Sequence, residues 1–136
     1  MQILLKFVIP IVIIVAAFSV NVWLGIAAIV VSVLALFYLN RANYYAFQAN
    51  AAHQQGNEEA VLKYLQAATN ISNCPPQHFL SYGYILLRRG EEKKAEEIFQ
   101  RLLSKPLPKG LKMSTEMNMA LILWKRGKLD EAIELM

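Results

Sequence analysis

Between Phe7 and Leu39 the chain reads FVIPIVIIVAAFSVNVWLGIAAIVVSVLALFYL, 33 residues without one charged side chain. Its only polar side chains are Ser19, Asn21 and Ser32. Drawn as one straight helix, the stretch would be about 50 Å long, against a hydrocarbon core of about 30 Å. Tilt absorbs a mismatch of a few ångströms, not one of that size. Two spans, over residues 3–19 and 22–39, come to about 25–27 Å each. Ser19-Val20-Asn21-Val22 is the natural turn, because asparagine accepts turn geometry and its amide seeks water. The expectation is a transmembrane hairpin over residues 1–40.

Several details agree with it. Gly25, Ala28, Ser32 and Ala35 share one side of the second span, where small side chains let helices approach closely in lipid. Trp23 sits near the turn, while Phe37, Tyr38, Tyr44 and Tyr45 gather at the opposite end, like the two aromatic belts of a bilayer protein. Pro10 kinks a membrane helix without ending it. In a hairpin, Lys6 and Arg41 lie on the same side, which the positive-inside rule makes cytoplasmic. The rival is a signal peptide over residues 1–19, with a thin basic start and a weak small-x-small site at Ala17-Phe18-Ser19. Its cleavage would leave the second span as sole anchor.

The whole chain has 136 residues, 56% of them hydrophobic, above the 45–50% usual in soluble domains. The excess lies in the leading stretch. Residues 41–136 carry thirteen basic and ten acidic groups, net +3, and are enough for one small core. The mild positive charge suits anionic lipid headgroups or an acidic partner. Charges of both signs interleave through Arg88–Arg101, as on a solvated helix surface. No basic patch with stacking aromatics stands out, so nucleic acid is not an expected partner. The single cysteine, Cys74, precludes an intrachain disulfide, and before Pro75-Pro76 it reads as packing or loop.

This second piece repeats itself. Gly56-Asn57-Glu58-Glu59-Ala60 aligns with Arg89-Gly90-Glu91-Glu92-Lys93-Lys94-Ala95 and with Arg126-Gly127-Lys128-Leu129-Asp130-Glu131-Ala132. Each glycine follows an amphipathic stretch, where a left-handed helix cap is wanted. Acidic residues just after it suit the positive end of a new helix. The unit is helix, tight turn, helix, with helices expected over 41–55, 57–72, 77–89, 91–104, 113–126 and 128–136. Nothing between Leu39 and Tyr44 breaks a helix, so the second span is expected to run on into the first repeat helix.

That unit resembles the tetratricopeptide repeat family over residues 42–136. In the middle repeat Gly83 stands where the family places a small residue, beside Tyr82 and Leu86, and Ala95 and Phe99 match its second helix. Ala49, Ala60, Tyr64 and Ala67 fit the first repeat, and Met119, Ala120, Leu123 and Ala132 the last. Pro75, Pro76, Pro106 and Pro108 follow second helices, as the family's terminal proline does. The family's usual early tryptophan is missing. The resemblance implies an all-α fold: a two-helix transmembrane hairpin followed by an α-solenoid of about 2.5–3 repeats.

It also implies a concave groove lined by the first helices. Carried over residue by residue, the groove takes Asn43, Asn50 and His53, then Gln77, Leu80, Tyr84, Leu87 and Arg88, then Ser114, Met117, Leu121, Trp124 and Lys125. Aromatic surface beside a cation fits an extended partner with apolar and acidic groups. The carboxylate clamp of some relatives is not reproduced, since Ala46 and Leu80 stand where lysine is wanted.

No catalytic constellation, metal-ligand spacing or phosphate loop is visible, so neither enzyme activity nor a cofactor is expected. The expected function is a membrane-anchored scaffold that binds a protein or peptide partner at a bacterial inner membrane, with the repeats cytoplasmic. The alternative is a structural or accessory subunit of a membrane or envelope complex, assembled through its spans. Ile133, Leu135 and Met136 lack a following polar helix, which favours a C-terminally truncated solenoid or self-association at the uncapped repeat.

Overall fold

The computed structural model describes residues 2–135, with side chains from Val8 onward; the Lys6 side chain and Met136 lie outside the described residues. Among the described residues the regular structure is helical throughout, in keeping with the all-α expectation. The chain divides into two compact units, Met1–Arg41 and Ala42–Met136.

The first unit holds α1 (Gln2–Val20) and the leading part of α2 (Val22–Gln54). Asn21 separates them. Its N–H donates to the Ala17 carbonyl at 3.0 Å, and its Oδ1 accepts the Trp23 N–H at 2.9 Å, closing one helix and capping the next. The Phe18 ring lies so close over Gly25 that a Cβ there would collide with it. Pro10, Ile14 and Ala17 on α1, and Gly25, Ala28, Ser32 and Leu36 on α2, are the less exposed side chains of an otherwise open surface. Ala35, expected on that stripe, is exposed. At 100° per residue Leu36 lies about 20° from the Gly25 direction and Ala35 about 80°. α2 is long and apolar enough to cross a bilayer, and on α1 the residues described with side chains, Val8–Val20, are apolar except for Ser19.

The second unit opens with the remainder of α2, one unbroken helix to Gln54, and continues with α3 (Glu58–Thr69), α4 (Pro76–Arg88), α5 (Glu92–Leu103), α6 (Lys109–Lys125) and α7 (Leu129–Glu134). Gly56, Gly90 and Gly127 take φ of 72°, 79° and 75°. At each, two hydrogen bonds close the preceding helix. Gly56 and Asn57 N–H donate to His53 and Ala52 carbonyls, Gly90 and Glu91 to Leu87 and Leu86, and Gly127 and Lys128 to Trp124 and Leu123, all at 2.9–3.1 Å. The Asn57 side chain then caps α3 through Ala60 N–H at 3.1 Å.

Two boundaries move from their expected places. α3 stops at Thr69, whose Oγ1 donates to the Leu65 and Gln66 carbonyls, and the chain then buries Ile71 and Cys74 in the connection. α6 begins at Lys109 and not at 113, because Pro108, at φ −57° and ψ 144°, serves as its N-cap. A proline there constrains the chain into a helix start as readily as it ends the previous one.

Charge pairs and ring contacts define two edges. Arg88 meets Glu58 at 3.8 Å, Lys125 meets Glu92 at 3.5 Å, and Arg126 meets Glu96 at 2.6 Å, so the ends of α4 and α6 lie beside the starts of α3 and α5 on a glycine edge. On the opposite edge His78 bonds Asn43 at 2.9 Å, and Lys105 and Arg101 stand 4.1 and 5.5 Å from the Phe79 ring centroid. Between the edges the core gathers Phe79, Leu86, Ala95, Phe99, Leu102 and Ile122.

Gly83 and Gly90 are small for different reasons. A Cβ at Gly83 would run into the Phe99 ring, while one at Gly90 meets nothing and only strains a left-handed backbone. Gly83→Ala should therefore cost about 2–3 kcal/mol and Gly90→Ala about 1 kcal/mol. Thermal unfolding of the solubilised chain, followed by circular dichroism, should rank them in that order.

Candidate functional site

α2 and α4 lie side by side, and between them opens a hollow of about 400 Å³. Ala46, Ala49, Asn50 and His53 come from α2, His78, Ser81, Tyr84, Ile85 and Arg88 from α4, and Val61 and Leu65 of α3 form the floor. No carboxylate lines it. The nearest described acid is Glu58, paired with Arg88 across an exposed gap that contributes little stability. The walls therefore offer an aromatic face, imidazole and amide groups and one guanidinium. Among the described residues no third His, Cys, Asp or Glu joins the histidines to hold a metal.

Of the residues expected to line one groove, Asn50, His53, Tyr84 and Arg88 meet here. Asn43 stands beside them, its Oδ1 accepting from His78 Nε2 at 2.9 Å. Gln77 is exposed outside the hollow. Leu80 packs half-buried on the main core, and Leu87, only 6% exposed, is a correction: it belongs to the core with Met119 and Ile122 and presents nothing to a ligand. Ser114, Met117, Leu121, Trp124 and Lys125 do not join this hollow. Met117, Leu121 and Trp124 line a second one, of about 260 Å³, with Ala120, Leu129, Ala132 and Ile133. Ser114 Oγ donates to the Gly110 carbonyl, and Lys125 is paired with Glu92. Tyr84, Leu121 and Trp124, at 50%, 41% and 60% exposed, are surface and not core.

Sequence reasoning missed His78, Ser81 and Ile85. Together with Arg88 they are spaced three, four and three apart, one face of α4. The expected set of Gln77, Leu80, Tyr84 and Leu87 follows the same spacing one residue earlier, a rotation of about 100° toward the next repeat.

Cys74 is not a chemical participant: burial, opposed more weakly by Lys105, pushes its thiol up to about 11. Comparison with protein-family models gives no match, and comparison with curated proteins gives none either. The tetratricopeptide resemblance thus rests on this chain's own glycine turns and their register.

Burial lowers the His78 pKa below its ordinary 6.5. The unfolded chain then binds more protons than the folded one just below pH 6.5, so the contribution of His78 is full above 6.5 and is lost as pH falls through the lowered value. Denaturant midpoints should decline from pH 7 to pH 5, and His78→Gln should flatten that decline.

Proposed function

We propose that the chain is a membrane-anchored, tetratricopeptide-like scaffold whose α2–α4 hollow binds a protein or peptide segment. The observation that carries this is the hollow itself: preformed, apolar-floored, and bordered by Tyr84, Arg88, Asn50 and His53 with no carboxylate on its walls. Such a surface favours an extended segment that brings an apolar side chain to Tyr84 and an acidic group to Arg88. Three glycine turns in register support the repeat, and the Phe18–Gly25 approach, with the shielded stripes on α1 and α2, supports a hairpin anchor. A bacterial inner membrane is the proposed location, and the positive-inside rule applied to Lys6 and Arg41 supports cytoplasmic repeats.

A photo-crosslinking residue at Ser81, in membranes of the native host, should give one discrete adduct that Arg88→Glu abolishes and Lys93→Glu leaves intact. Failure to obtain a discrete adduct, or one indifferent to Arg88, removes the groove reading.

One observation favours assembly as well. Met117 and Trp124 stand 37 residues after Leu80 and Leu87, which pack in the core with Met119 and Ile122 of α6; on the last repeat the same positions are open, 61% and 60% exposed. A helix from another subunit seated there would make the chain a structural component. Trp124→Glu should then shift the complex to smaller size on native gels while sparing the Ser81 adduct.

A further inference from the structure

The ten acidic residues of the chain are unevenly placed on the repeat unit. Nine of them (Glu58, Glu59, Glu91, Glu92, Glu96, Glu97, Asp130, Glu131 and Glu134) fall within seven residues after a turn glycine, and only Glu116 lies elsewhere. From Ile98 to Thr115 there is no acid, but there are four bases: Arg101, Lys105, Lys109 and Lys112. These sit on the end of α5, the connection, and the start of α6, on the edge opposite the glycines. Among the described residues Arg101, Lys105 and Lys109 form no ion pair, whereas Lys112 reaches Glu116 at 3.6 Å. On the glycine edge Arg88, Lys125 and Arg126 are instead answered by Glu58, Glu92 and Glu96.

Ala42 begins the repeat unit on that same basic edge, since its neighbour Asn43 bonds His78 in the first turn of α4, and His78 adjoins the Phe79 ring over which Arg101 and Lys105 stand. The chain entering at Ala42 is the apolar part of α2. The basic edge is thus the edge of this unit at which the chain arrives from the apolar segment. Tyr44 and Phe47, 46% and 68% exposed, add aromatic side chains of the kind that settle at headgroup level.

We infer that the edge formed by Arg101, Lys105 and Lys109 is a docking surface for anionic lipid headgroups. It rests on the membrane-anchor reading. Cations not neutralised by a carboxylate are drawn to the negative surface potential of an anionic bilayer, an attraction confined to about a Debye length and weakened by salt. The docking orients the repeat unit with its glycine edge, and the adjacent mouth of the α2–α4 hollow at Arg88 and His53, away from the lipid.

The test uses the full chain in nanodiscs, either of neutral phosphatidylcholine or with a third of phosphatidylglycerol, labelled by an amine-reactive reagent and mapped by mass spectrometry. Lys105 and Lys109 should label roughly fivefold more slowly in anionic discs, with Lys93 unchanged, and the protection should vanish in about 0.5 M salt, where the Debye length is about 4 Å. Replacing Arg101, Lys109 and Lys112 together by Gln should remove the protection of Lys105 while circular dichroism stays unchanged. Equal labelling in both discs overturns the inference, as does protection that arises in neutral discs only when polyglutamate is added. Co-purification with neutral discs reports the anchor separately: its loss removes anchor and docking together, whereas retention without charge-dependent protection removes docking alone.

Discussion

At Gly56, Gly90 and Gly127 the backbone enters the left-handed region, where a side chain would press on the neighbouring carbonyl. That single conformational demand reverses the chain within two residues and lays each helix back beside its predecessor. It also places the end of one helix next to the start of another, where carboxylates meet the positive helix terminus and the cations of the following repeat. The pairs Arg88–Glu58 and Lys125–Glu92 repeat this arrangement one unit apart. Exposed pairs of this sort add little energy; they record the geometry that the turns impose.

The same reversal creates the interior. With α4 and α5 antiparallel, Gly83 admits the Phe99 ring to backbone distance, and the core closes around Phe79, Leu86 and Leu102. What the core does not consume becomes surface. The face of α4 turned to α2 keeps His78, Ser81 and Arg88 for a hollow, while the face turned to α6 gives up Leu80 and Leu87 to packing. At the corresponding positions of α6, Met117 and Trp124 are exposed. A hollow and an exposed apolar face thus arise from one helix pattern, differing only in what stands alongside.

The apolar leading segment follows another rule. Most of its described side chains are exposed, and α2 is long and apolar enough to cross a bilayer. Phe18 lies against Gly25 across the one-residue break at Asn21, a close approach possible because α2 offers no Cβ at the contact.

Much of this was legible in the amino-acid order. Glycines followed by acids announced the turns, since only glycine enters the left-handed region without strain, and 33 uncharged residues announced a helix long and apolar enough to cross a bilayer. The helix start at Pro108 was hidden, as proline reads equally as a stop and a start. Which side of α4 lines the hollow was decided only by tertiary structure. Tyr84 and Ile85 put a large side chain on each of two faces 100° apart, and which face borders the hollow depends on where α2 and α6 come to rest, a matter of packing between distant segments.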